Sequence, residues 1–182
     1  MAAGVRRTRG VVLGVVTALA TSPAMADGVW VDQVGRSAFA SRGGGSVDAR
    51  AGTGNTNTLV VGDGVAAAMR QSGLGNWIVG SLGGTGGEAT VVQTGVQNGI
   101  GLFGDGVGNR VTVDQSGFSN QLSISQSGER LMISATQTGG NNTLALQQTG
   151  SGSTIVAVQS GIANQLGASQ SGTGNRLVAF QR

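Results

Sequence analysis

From Gln115 onward, apolar and polar residues alternate along the chain with a period of two. In Asn120-Gln121-Leu122-Ser123-Ile124-Ser125-Gln126, one set holds Asn120, Leu122, Ile124 and Gln126, and the other holds Gln121, Ser123 and Ser125. This alternation predicts a β-strand with one face turned toward a core. Ser116 to Ser119 precede the strand and predict a turn, in which Gly117 can take a positive φ without a Cβ clash. A strand of about seven residues and a turn of about four then recur along the chain.

The recurrence is strict. Stepping by eleven from Gln71 meets Gln93, Gln115, Gln126, Gln137, Gln148, Gln159, Gln170 and Gln181, with Leu82 and Gly104 as the two misses. Most of these glutamines are followed by Ser or Thr and then Gly. Five residues after every second glutamine stands an asparagine: Asn76, Asn98, Asn120, Asn142 and Asn164. The interleaved series is looser, reading Gly87, Asn109, Leu131, Ser153 and Asn175. The true period is therefore 22, built from two similar but unequal halves.

One hairpin cannot bury its own aliphatic face, whereas stacked 22-residue rungs can. The expected fold is all-β: a β-solenoid with two strands per rung, rungs about 4.8 Å apart, and two packed parallel sheets. Residue i then lies over residue i+22, so Leu122, Leu144 and Leu166 form one core column, and Gln115, Gln137 and Gln159 another. Buried amides are costly unless paired. In a stack each can donate to the amide one rung away, which gives the glutamine and asparagine columns a physical reason. Replacing Gln159 and Gln170 by Ala is expected to slow assembly strongly, while the same change at Leu82 and Gly104, already off-pattern, is expected to matter less or even to speed growth. The alternative, a disordered Gly/Ser/Gln/Asn-rich segment, does not need the register that this chain keeps. Disorder before assembly is still expected.

The first 26 residues read as a secretory signal. Arg6, Arg7 and Arg9 are followed by an apolar stretch from Val11 to Ala20 and by Ala24-Met25-Ala26 as a cleavage site. That stretch is too short to span a bilayer. Without the signal the chain has eight arginines against eight acidic residues, so the high isoelectric point gives no nucleic-acid footprint. Cysteine is absent, and stability in an oxidising compartment must come from the stack. Residues 27–59 lack the frame and read as a flexible Gly-rich leader, expected to carry the secretion address. It includes a degenerate half-unit, Gly52-Thr53-Gly54-Asn55, one residue out of step with Gln71. Residues 60–182 form the repeat domain, with the Gly-rich stretches 81–88 and 103–109 as its weakest strands. Low net charge, Gln/Asn richness and an uncapped last rung favour ordered self-association.

The spacing Asn109-x5-Gln115-x4-Asn120-x5-Gln126, and again Ser153-x5-Gln159-x4-Asn164-x5-Gln170, resembles the curlin repeat of bacterial curli fibres. The resemblance covers roughly residues 60–181. It implies secretion through a dedicated outer-membrane channel and assembly into surface amyloid. It also implies a fimbria-like role in adhesion and biofilm matrix. The implied partners are other copies of the chain, a second curlin subunit and the channel. Departures from the pattern, such as Asn for Ser at the motif start and the eroded positions Gly87 and Leu131, leave open the choice between main fibre subunit and minor nucleator.

No chemistry-bearing set emerges. With no His or Cys, the usual triads and most zinc sites are excluded, and the carboxylates are scattered. No enzyme activity and no cofactor are expected. Gly99-Ile100-Gly101-Leu102-Phe103-Gly104 fits G-x-G-x-x-G but falls within a repeat strand. Gly83 to Glu88 lacks the nine-residue period and the recurrent Asp of a calcium-binding roll. Glu88 and Arg110, 22 apart on the outward face, are positioned to pair at the surface. A soluble ligand- or ice-binding solenoid is the rival reading. It needs a regular outward array, which Trp77, Gly99, Gln121, Thr143 and Gln165 do not form.

Overall fold

The computed structural model describes the backbone of residues 16–18, 29–41, 46–62 and 64–182, and side-chain surroundings for residues 54–62 and 64–182. All of its elements are strands. In chain order they are β1 (Val16–Ala18), β2 (Val29–Ser41), β3 (Ser46–Val61), β4 (Ala66–Leu74), β5 (Trp77–Leu82), β6 (Glu88–Val96) and β7 (Gly99–Val107). The second half continues with β8 (Arg110–Phe118), β9 (Gln121–Glu129), β10 (Met132–Gly140), β11 (Thr143–Ser151), β12 (Thr154–Ile162), β13 (Gln165–Thr173) and β14 (Arg176–Gln181). Apart from β1, the secretory-signal reading of residues 1–26 falls outside the described residues, as does the glycine run at 43–45.

Two parallel sheets are built by alternate strands. One runs β4-β6-β8-β10-β12-β14 and the other β5-β7-β9-β11-β13. The rung-to-rung register from β4 onward is 22 residues, as in Gln115↔Gln137 and Leu122↔Leu144. The chain is thus an all-β solenoid of about six turns, as the period predicts. Strand β3 joins the sheets: its first half pairs with β4 and its second with β5.

The register also explains the half-unit that is out of step. Ser46 pairs with Ala66, 20 residues on, and Thr56 pairs with Trp77, 21 on. Each of the two connections in this rung is one residue shorter than its counterpart above it. Four residues (52–55) stand where the next rung has five (72–76), and four (62–65) stand where it has 83–87. Asn55 nevertheless sits under Asn76, whose backbone N–H donates to Asn55 Oδ1 at 2.9 Å. Asn55, Asn57 and Leu59 are already buried, so the boundary expected near residue 60 falls inside β3.

Strands are longer than the alternation suggests. β9 runs from Gln121 to Glu129, three residues past Gln126 and into the Ser-Gly step. Parallel pairing from rung to rung continues through the bend, with Ser127↔Thr149 and Gly128↔Gly150 in register. The core is a single cluster of stacked aliphatics, among them Ile100, Ile124, Ile133, Leu144 and Ile155, all essentially inaccessible to water. The inner residues of β13 and β14, such as Leu166 and Leu177, are only partly buried, because each of these strands has a paired neighbour on one side alone.

Candidate functional site: amide columns and arches

The inward polar residues gather in columns that run along the solenoid axis. In the sheet of the even-numbered strands, Gln71, Gln93, Gln115, Gln137, Gln159 and Gln181 form one continuous ladder. Each Nε2 donates to the Oε1 one rung on, over 2.6 to 2.9 Å. The second amide proton of four members goes to a main-chain carbonyl of the other sheet, as from Gln115 to Gly99 O at 3.2 Å and from Gln159 to Thr143 O at 3.0 Å. Both donors of these buried amides are therefore satisfied.

The second ladder is shorter. Gln126 donates to Gln148 at 3.0 Å and Gln148 to Gln170 at 2.9 Å. The two breaks in the eleven-residue count, Leu82 and Gly104, both lie in this column, directly before Gln126. Leu82 is buried, and its Cδ2 would lie 3.1 Å from a Cβ on Gly104. The column thus starts apolar, with Val61 in register under Leu82 and the leucine filling the space over a glycine, and it becomes polar at Gln126. Leu82 falls off the glutamine count, yet its side chain belongs to the core.

The asparagines work differently from the amide-to-amide ladder expected of them. Asn120 Nδ2 donates to Ser116 O in its own arch at 2.9 Å and to Gly139 O in the next rung at 2.9 Å. Its Oδ1 accepts the backbone N–H of Asn142 at 3.0 Å. Asn76, Asn98 and Asn142 repeat the pattern, and Asn164 keeps its own-arch and backbone bonds. Each asparagine therefore stitches one arch to the next through main-chain groups that the bend leaves unpaired.

In the alternate arches the series is uneven. Asn109 makes the same two donor bonds and accepts the N–H of Leu131, but Leu131 has no amide to carry the stitch onward. Ser153 replaces it in part, donating at 3.2 to 3.3 Å and accepting from the N–H of Asn175. Asn175 in turn donates to Ser171 O at 2.7 Å. Replacing Ser153 by Asn should therefore stabilise the stack by about 1 kcal/mol, since an amide there would follow the Asn109 and Asn120 pattern and donate to the carbonyl four residues back, Thr149 O, as well as to Gly172 O. Urea unfolding checks this, and a lowered midpoint would show that the cavity cannot admit the amide.

Each five-residue arch turns at two residues with positive φ. The first, two after the glutamine position, is always glycine, with φ from +86° at Gly84 to +136° at Gly128. A Cβ there would overlap the carbonyl oxygen of the glycine one rung on, as Gly117 would meet Gly139. The second, two residues later, lies near φ +51° to +68° and accepts side chains: Gln97, Ser119, Arg130, Asn141 and Ala163. The glycine column is unbroken even at Gly84 and Gly106, where the glutamine is lost.

At the start of the long ladder, Gln71 Oε1 is buried without a partner, as are both amide atoms of Asn57 and the Nδ2 of Asn55. Ala51 stands in register with Gln71 and carries no amide, so the ladder begins there.

The outward faces carry less order. Glu88 and Arg110 form an ion pair at 2.6 Å, with both side chains about half exposed. The Trp77 indole lies over Gly99, where a Cβ would clash with the ring. A shallow groove of about 260 Å³ beside it is lined by Val79, Phe103, Gln121 and Thr143 among others. The G-x-G-x-x-G run lies within β7, in mid-sheet. Among the described residues no cluster of three acidic side chains could hold a metal ion. The chain matches no protein-family model, and a search of curated proteins returns no match.

Proposed function

We propose that this chain is a secreted structural subunit that assembles with copies of itself into extracellular amyloid-like fibres of the curlin type. The fibres would serve adhesion and the biofilm matrix. The observation that carries this reading is the unbroken 22-residue register. Each rung of the repeat lies on the last with its glutamines hydrogen-bonded in a ladder, the same arrangement that joins separate chains in cross-β assemblies. The ladder sense supports head-to-tail addition, because every Nε2 points to the following rung.

Within this reading the main fibre subunit fits better than the minor nucleator, since the long glutamine ladder is regular from Gln115 to Gln181. The exported chain would reach the surface through an outer-membrane channel and meet a second curlin subunit there.

Fibre diffraction and electron microscopy of the purified chain test the proposal. Filaments with a meridional reflection at about 4.7–4.8 Å and amyloid-dye binding are the expected result. A chain that stays monomeric and dye-negative at high concentration would instead point to a soluble ligand-binding solenoid.

A further inference from the structure

The two long edges of the solenoid differ in chemistry. The arches that lead from even-numbered to odd-numbered strands carry Leu74, Val96, Phe118, Gly140 and Ile162 at their tips. The four side chains among these are 44 to 69% exposed. Gly140 is buried because the Phe118 ring lies over it. That ring spans two rungs, so the apolar ridge runs without a gap from Leu74 to Ile162. None of the five arches (72–76, 94–98, 116–120, 138–142 and 160–164) contains a charged residue. The opposite edge has Thr85, Val107, Glu129, Ser151 and Thr173 at its tips, and Asp105 and Arg130 beside them.

We infer that the Leu74–Ile162 ridge is a lateral docking surface for a second copy of this chain, so that stacked copies pair edge to edge along the fibre. The inference rests on the fibre reading above and adds a direction of contact at right angles to growth.

Three features select a second copy as the occupant. The first is charge. In a two-fold contact each residue meets the same patch on its partner, so a charge on the ridge would face its own kind, and this edge has none. The second is pitch. Tip residues recur once per rung, about every 4.8 Å, and a partner with the same pitch can oppose each of them. The third is area. Four half-exposed side chains fall well short of the roughly 800 Å² per partner typical of a stable isolated pair. In a stack, however, every added copy extends the same contact, and linked weak contacts reinforce one another.

The chain has no cysteine, which makes the test direct. Phe118→Cys places a thiol at the middle of the ridge, and Glu129→Cys places one at the matching tip of the opposite edge. Copies stacked end to end hold equivalent residues about six rungs, or roughly 29 Å, apart. A disulfide needs Cα atoms within about 7 Å, so only lateral contact can form one. Oxidation should give disulfide dimers from Phe118→Cys and only background from Glu129→Cys. In parallel, Leu74→Ser/Phe118→Ser/Ile162→Ser should leave filament growth intact but halve the mass per length.

Equal cross-linking at both edges, or none at residue 118, would overturn the inference. So would an unchanged mass per length, or partition of the ridge into neutral lipid vesicles with the thiol still reduced. A chain that forms no filaments would count against the fibre reading itself, while the cross-link comparison still decides the ridge.

Discussion

Replacing Gly139 by alanine should unfold the stack around β10, whereas replacing Gly152 by alanine should leave it folded. Both glycines lie in arches and both have positive φ, yet their surroundings differ. Gly139 has φ +108°, and a Cβ on it would overlap the Gly161 carbonyl oxygen and lie 2.9 Å from the carbonyl carbon. Those are backbone atoms of the next rung, which cannot step aside without opening the parallel pairing between β10 and β12. The backbone conformation alone costs about 1–3 kcal/mol for a residue with a side chain. Separation of the rungs adds the loss of the Asn120-to-Gly139 bond and of neighbouring ladder bonds. Gly152 has φ +61° and nothing within 4 Å of a built Cβ. Its cost is that of one residue in the left-handed region, about 1–2 kcal/mol. Equivalent positions already hold Asn141 and Ala163. Urea unfolding followed by circular dichroism separates the two. Equal midpoints for the two variants would mean that rung contact at the first glycine is not what excludes a side chain.

Much of this architecture is legible in the sequence, for a physical reason. A parallel in-register stack places each residue on its own equivalent, so any column that needs identity shows directly as a period. The glutamine ladder needs identity, because amide donates to amide, and the count by eleven finds it. The aliphatic columns need only similar volume, and alternation finds those: Leu122, Leu144 and Leu166 lie in register.

Other features do not show in a period. An asparagine that bonds to the backbone and one that bonds to another asparagine leave the same spacing, so Asn120 reads as a ladder member when it is an arch stitch. The two kinds of glycine also look alike, although only the first has a rung-contact reason to be glycine. Leu82 reads as a lapse because its value lies in volume over Gly104, which concerns a neighbour 22 residues away. The shortened rung at 46–65 breaks the count for a simpler reason, since two arches each lack a residue.

The polar columns differ in how much each member carries, and that difference can be measured. Gln137 sits mid-ladder: it accepts from Gln115, donates to Gln159 and donates to Gln121 O. Replacing it by Ala leaves the Gln159 Oε1 without its donor and deprives Gln115 and Gln121 of an acceptor and a donor respectively. At about 1–3 kcal/mol for each buried group left unpaired, the loss should reach several kcal/mol. Gln126 opens its ladder, with Gly104 in register on the other side, so Gln126→Ala strands only the Gln148 Oε1. With one group stranded instead of three, about a third of the effect is expected there. Leu82→Ala should cost about 2–5 kcal/mol, through a cavity rather than a lost hydrogen bond. Asparagine in place of Gln137 would be a further control, because it keeps the amide but is one methylene too short for the ladder. Urea midpoints rank the variants, and filament lag times should follow the same order if assembly repeats the internal stacking. A Gln137→Ala chain no less stable than Gln126→Ala would show that burial alone, without the ladder, holds the rungs together.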